Sequence, residues 1–458
     1  MTYSEAIQFL YGLQIFGAKL GLENTFKLAA LAGNPQEKLR FIHVAGTNGK
    51  GSTCAMLESI YRAAGLRVGL FTSPHLVSFR ERIQINRQLV SEADVARLVE
   101  GAQLLLKNFP AEAHPTFFEV VTVMALKYFA EQNCELVIWE TGLGGRLDAT
   151  NIVMPLASAI TNVQLDHQKW LGETLAEIAR EKAGIIKENI PTVTGAEDPD
   201  ALRIISQIAA EKKSPLTVVT PADARGLNDL ELSLPGEHQK RNSAVALGVV
   251  KALQKQIPVS EEIIRRGLRT VTWQGRLQMI ERGHQKILLD GAHNPAGAQT
   301  LADALQDLLE RGCVGVADQP QRVGKFGNAA TDAPTPHTVA LRTQAQPALI
   351  FGVMRDKDFT AIIKILSPLA SKIFLSPMDS ERSADPTELI DLFRAENAAA
   401  KISACQNLAE AFEKSAGEKF VVVTGSLHFI GEAIELLGVS SEPSERALNE
   451  WTATPKSK

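Results

Sequence analysis

One stretch constrains this chain more than any other: residues 41–53, FIHVAGTNGKGST. Phe41 to Ala45 are mostly apolar and suit a short buried strand. Gly46, Gly49 and Gly51 then punctuate a turn holding Thr47, Asn48 and Lys50, with a helix expected over 52–64. Glycines let a backbone approach an anion closely, successive N–H groups and a helix start point at it, and a lysine adds charge. Ser52 or Thr53 would stand where a hydroxyl can reach Mg²⁺. The spacing departs from G-x-x-x-x-G-K-[ST], because the first glycine lies only three residues before Gly49. An ordinary α/β connection uses the same strand, turn and helix; a lysine in a glycine turn that directly follows an apolar strand argues for phosphate.

What surrounds this turn is a large chain. Its 458 residues, 45% hydrophobic, are enough for more than one core, so two domains are expected. A net charge of −4, with Lys and Arg spread along the chain, gives no basic stripe for nucleic acid or an anionic membrane. Any anionic ligand must be met by local charge. Cys54, Cys134, Cys313 and Cys405 form no C-x-x-C pair and suggest neither zinc nor a disulfide framework. The opening MTYSEAIQFLYGLQIF lacks a basic region followed by a long apolar run, and no segment reaches membrane-span length; a cytoplasmic protein is expected.

Strand and helix patterns alternate to about residue 271, which argues for an α/β fold with a mostly parallel sheet covered on both faces. A smaller α/β unit follows the link WQGRLQ, residues 273–278. The expected division is 1–275, 276–438 and a loosely attached tail, 439–458. Residues 315–346, rich in Ala, Gln, Pro, Thr and Gly, read as a long surface insertion or disordered loop. Three strand ends carry chemistry: TSPH puts Ser73 after one, LVIWE ends in Glu140, and NVQLDH puts Asp166 and His167 after a third. Each residue alone is an ordinary structural feature. Together, at the carboxyl edge where open α/β sheets bind ligands, they offer a hydroxyl, a carboxylate and an imidazole to a divalent cation.

With GLEN, HVAGTNGKGST, TSPHL, TFFE, ETGLGGRLDATN, LDH, EKAGI, GRLQ, LDGAHNP and TGSLHF in order, nearly the whole chain resembles the folylpolyglutamate synthase and dihydrofolate synthase family, relatives of the Mur ligases. That resemblance implies a P-loop-containing, Mur-ligase-like central domain and a Rossmann-like second domain. It implies ATP binding by Gly46, Thr47, Asn48, Gly49, Lys50, Gly51 and Ser52, with Asn242, Arg276 and Asp290. Mg²⁺, two ions in all, would be held by Ser73, Glu140, His167 and a carbamylated Lys182, with K⁺ a further candidate ion. The pterin would lie along Thr116, Phe117, Phe118 and Glu119 and along Leu147, Asp148 and Ala149. His293 and Ser426 match positions near the incoming glutamate, and Lys50, Lys182 and His293 are the candidate catalytic residues.

The implied reaction joins L-glutamate to dihydropteroate and to reduced folates through an acyl phosphate made from ATP, in a monomer, with closure of the second domain bringing Arg276, Asp290 and His293 into place. Competing readings are polyglutamate synthesis alone, a peptidoglycan-type ligase, and a nucleotide-gated binding module that hydrolyses ATP without ligating anything. Against the peptidoglycan type, the phosphate turn begins by Gly46, leaving little room for an amino-terminal uridine-nucleotide domain.

Overall fold

In the computed structural model, which describes residues 1–17, 21–227, 229–310 and 346–449, the alternation of strand and helix builds two sheets. The first takes β1 (Phe41–Ala45), β2 (Val68–Phe71), β3 (Ile83–Ile85), β4 (Gln88–Leu89), β5 (Leu136–Glu140), β6 (Ala157–Ile160), β7 (Thr192–Thr194) and β8 (Leu216–Val218). Their order is β4-β3-β2-β5-β1-β6-β7-β8. All pairs among β2, β5, β1, β6, β7 and β8 are parallel, while β3 and β4 add an antiparallel edge. Helices cover both faces. Lys50–Ala63, Glu237–Ala252 and Glu261–Thr270 pack on one, Tyr3–Gly12, Glu92–Leu106 and Phe117–Glu131 on the other. That double cover is why β1, β2 and β5 are buried along their whole length.

Register places the site. Val44 lies beside Glu140 and Ala45 beside Ile160, so β1, β5 and β6 end at one level. The crossover from β1 leads to β2 on one side of it, whereas the crossover from β5 leads to β6 on the other, and such a reversal point is where an open α/β sheet leaves a crevice beyond its strand ends.

The second sheet, β9 (Gln278–Arg282), β10 (Gln285–Asp290), β11 (Ala348–Phe351), β12 (Lys372–Leu375), β13 (Lys401–Ala404) and β14 (Phe420–Thr424), has the order β13-β12-β11-β14-β10-β9. Only the β9–β10 pair is antiparallel. The two halves share apolar surface: Leu76 and Val77, just after β2, are buried in the second sheet's core with Phe429, Ile430, Ala433 and Ile434 of the helix Leu427–Leu436. A Cβ added to Gly431 would lie 2.0 Å from the Leu76 carbonyl oxygen, so the helix backbone rests directly on that segment.

Three expectations need correction. The helix after the glycine turn starts at Lys50, two residues early, because Gly49 at φ +81° serves as its N-cap. Apolar residues at helical spacing over 4–16 predict one helix there, but the α-helix stops at Gly12 and continues as a 3₁₀ turn, Leu13–Phe16. The tail is not loose over 445–449: Glu445 is 4% exposed and its carboxylate accepts from Phe79 N (2.7 Å) and Ser78 Oγ (3.1 Å). Of the expected insertion, all but residue 346 lies outside the described residues, as do residues 450–458. Among the described residues no helix is long and apolar enough to cross a membrane.

Candidate active site

The turn after β1 has no room for side chains at its glycines. A Cβ on Gly46 (φ +152°) would fall 1.9 Å from Thr161 Oγ1, and one on Gly49 would fall 2.3 Å from Asn242 Oδ1. Asn162, beyond β6, collects the turn: Thr47 N donates to its carbonyl (3.1 Å) and Asn48 N to its Oδ1 (2.8 Å). Lys50, first residue of its helix, folds its ammonium onto Gly46 O (3.0 Å) and Thr47 O (3.3 Å). Those are weak partners for a cation, and an incoming phosphate would displace them. Gln239 and Asn242, on the helix Glu237–Ala252, border the turn through Ser52 Oγ (3.4 Å) and through each other (2.9 Å).

Ser73 and Glu140 meet, Ser73 N donating to Glu140 Oε2 at 3.0 Å. Glu140 is 3% exposed, and burial lifts its carboxyl to about 7 against the pull of Lys50, the Ser73 N–H, Arg276 and Arg82. Burial, followed by the Lys357 charge, pushes His167 down to about 3 although Asp166 acts the other way, so its imidazole is neutral. A neutral imidazole and a buried carboxylate short of positive charge are donors that suit a cation. Among the described residues no three His, Cys, Asp or Glu side chains gather into a self-contained metal site. Ser73, Glu140 and His167 fit instead the kind of site in which Mg²⁺ keeps waters and substrate phosphate oxygens. Lys182, 3% exposed, is lowered to about 7 by burial and then by Lys50, with Asp166 and Asp148 opposing.

The second sheet supplies the facing wall. Asp290, ending β10, accepts from Leu277 N (2.9 Å) and Ala292 N (3.0 Å), which ties the interdomain link to the strand. Arg276 donates to Gly275 O (3.0 Å). His293 Nδ1 lies 2.7 Å from Gly291 O, a carbonyl that can only accept, and Nε2 lies 3.6 Å from Asp166 Oδ2. Ser426 caps the helix Leu427–Leu436, accepting from His428 N at 3.2 Å.

Across the gap, Asn48 and Asn294 exchange amide hydrogen bonds (3.2 and 3.1 Å), Asn294 also donates to Asp166 (3.0 Å), and Lys357 pairs with Asp166 at 2.7 Å. Burial works against charge on Asp166, but the contact with His293 and the Lys357 charge outweigh it and hold the carboxyl well below its usual range.

A third wall is apolar. Thr116 and Glu119 form a capping box at the start of Phe117–Glu131, which presents Phe117 and Phe118. Phe117 lies under the Arg82 guanidinium (5.4 Å), and Phe118 stands 6.0 Å from Phe71. Asp148 accepts from Leu143 N (2.7 Å) and Thr150 N (3.0 Å), so it shapes the loop on which Leu147 and Ala149 reach the same space.

Every residue expected to bind or react therefore lines one cavity of about 480 Å³. The sequence places Asp166 at a strand end without giving it a role, and Asn294, Lys357, Arg82 and Gln239 are not singled out by it at all. Asp166 and Asn294 sit inside the quoted LDH and AHNP stretches and could have been drawn from them; Lys357, in MRDKD, carries no local signal.

Residues 44–250 match the Mur ligase middle domain. A dihydrofolate synthase/folylpolyglutamate synthase of Bacillus subtilis is 33% identical, over 94% of this chain and 98% of that protein. One of the same name from Escherichia coli is 31% identical, with 94% of each covered. Among solved structures, E. coli FolC in complex with DHPP and ADP superposes with a TM-score of 0.77 at 30% identity, covering 96% of this chain and 98% of that one. Folylpolyglutamate synthase from Thermotoga maritima gives 0.76 at 32% identity, covering 97% and 98%.

Proposed function

The chain belongs to the folylpolyglutamate synthase and dihydrofolate synthase family of Mur-type ligases, and from that premise we propose that this cavity is where ATP, a pteroate or folate acid and L-glutamate meet. It is an ATP-dependent ligase of glutamate onto folate-type acceptors. Both dihydropteroate and tetrahydrofolate are the proposed acceptors, since both carry a reduced pterin joined to an aminobenzoyl group, the kind of body that Phe117, Phe118, Leu147 and Ala149 would hold. One observation carries the proposal: a phosphate turn, a metal-ligand set, an apolar slot and a second-domain wall open into a single space. Both walls come from one chain, which supports action as a monomer.

A carboxylate is a poor acyl donor. Its oxygen attacks the γ-phosphorus of ATP, the bond to ADP breaks, and an acyl phosphate forms. Gly46 to Ser52 would grip the phosphates, and Lys50 would leave its carbonyl partners to neutralise charge on the transferring oxygens. Ser73, Glu140 and His167 would hold Mg²⁺, which supplies positive charge to the phosphate oxygens. Asn242, Arg276 and Asp290 would position the nucleotide between the sheets. The glutamate amine then attacks the acyl carbon, phosphate leaves with the C–O electrons, and His293 Nε2 takes the amine's proton, with Asp166 beside it to stabilise the imidazolium. Excluding water protects the anhydride, and the Asn48–Asn294 and Asp166–Lys357 contacts close the space on that side.

Purified protein given ATP, Mg²⁺ and glutamate should release phosphate only when an acceptor is added, with one new amide per phosphate. Assaying dihydropteroate and tetrahydrofolate separately tests the acceptors. Phosphate release indifferent to acceptor and glutamate would show a nucleotide hydrolase instead.

A further inference from the structure

The acceptor end of the cavity has a wall that comes from the far end of the chain. After the helix Leu427–Leu436, residues 445–449 return to the first domain. Glu445 anchors them: besides its carboxylate bonds to Phe79 and Ser78, its N–H donates to Val77 O (2.8 Å) and its carbonyl accepts from His75 Nε2 (2.9 Å). Gln14 fixes the other side by donating to Ala447 O (2.7 Å). Leu448, 1% exposed, and Asn449 then reach the cavity.

Asn449 does more than fill space. Its Oδ1 accepts from Arg82 Nη2 at 2.7 Å and its Nδ2 donates to His75 O at 2.9 Å, while Arg82 Nε donates to His75 Nδ1 at 2.8 Å. Two of the three guanidinium nitrogens are thereby fixed, and the plane is held above the Phe117 ring. Arg82 is 4% exposed, lines the cavity, and acts electrostatically on Glu140. Its Nη1 has no hydrogen-bond partner among the described residues.

We propose that residues 445–449 form a strap that completes the acceptor site, Leu448 as an apolar wall and Asn449 as the residue that positions Arg82 toward an aromatic acid. This deepens the ligase reading and rests on it. The acid must present its carboxylate near Lys50 and Glu140, so its flat body extends along Phe117, where the guanidinium can stack on it and Nη1 can meet a carbonyl or carboxylate oxygen. Nucleotide and glutamate are met by other walls, so the strap acts on one substrate of three.

The test is steady-state kinetics of the full chain with dihydropteroate, ATP and glutamate varied in turn. Asn449→Ala should raise the acceptor KM on the order of tenfold, as expected when a charged group loses a hydrogen-bond partner. The KM values for ATP and glutamate should stay within about twofold of the parent. Asn449→Asp, which keeps an oxygen facing Arg82, should recover most of the acceptor KM. Arg82→Lys should show the same acceptor-only rise, and the double variant Arg82→Lys/Asn449→Ala should be worse than either single change by less than their product, since the two residues act as one unit. Should the alanine variant fail to fold, Arg82→Lys against Asn449→Asp carries the same comparison. Equal rises in all three KM values, or effects that multiply, would reduce the strap to a structural tie and overturn the proposal. Absence of ligation by the parent chain would instead remove the ligase reading itself.

Discussion

Lys182 shows how burial can prepare a side chain for a modification. A solvent-exposed lysine is almost wholly ammonium at neutral pH, whereas at about 7 this one is half free amine. A free amine can attack CO₂, forming an N–C bond and losing a proton, and the resulting carbamate turns a cation into an anion able to ligate metal. We propose that Lys182 is carbamylated in this way. The unmodified group also leaves a mark on stability. Its folded pKa lies below the 10.5 of the free side chain, so the fold holds its full contribution above about 10.5 and loses it as pH falls through about 7. Lys182→Met should flatten that part of the pH profile in denaturant titrations and lower kcat by on the order of a hundredfold, a size typical for removing one charge-stabilising group. Wild-type protein stripped of CO₂ should lose activity and regain it on adding bicarbonate; indifference to bicarbonate would exclude the carbamate.

At the level of single elements, the helix Phe117–Glu131 is aimed by its first turn. Thr116 and Glu119 satisfy each other's backbone N–H groups, and Glu119 is 4% exposed. Thr116→Ala should cost about 1 kcal/mol in unfolding free energy, the usual value of an N-cap. Because the same turn carries Phe117 and Phe118, the acceptor KM should rise while the ATP KM does not; a change in both would mean the helix start only supports the fold. The elements legible in the sequence are those whose pattern is local. β1, β5, β10 and β14 are apolar runs buried on nearly every residue, and the glycines of the phosphate turn mark both its place and its backbone. β3, β4 and β9 were not legible for a matching reason. Ile83–Ile85 and Gln88–Leu89 are too short to show a period, and QMIER in β9 is half exposed at a sheet edge and reads as polar linker.

For the whole molecule the decisive contacts join residues far apart, which is why parts of the site escaped a reading of motifs. Lys357 and Asp166 are 191 positions apart, and Arg82 and Asn449 are 367 apart; nothing near either lysine or asparagine in the sequence announces its partner. Asp166 is the meeting point of the two halves, taking Lys357, Asn294 and His293 from the second sheet's side. Lys357→Ala should therefore lower kcat/KM for ATP by about tenfold or more, the scale of depriving a buried carboxylate of a charged partner. Lys357→Arg should restore part of it, and an unchanged kcat/KM in the alanine variant would show that the pair plays no part in assembling the site. The seating of Leu76 and Val77 inside the second sheet's core carries the same interdependence further. Neither half is a portable module: grafting the later half of another ligase onto this phosphate-binding half would leave Leu76 and Val77 without the apolar surface that covers them and the Ser78–Phe79 seat without its Glu445 anchor. Exchanging one half would therefore require rebuilding the surface of the other that meets it.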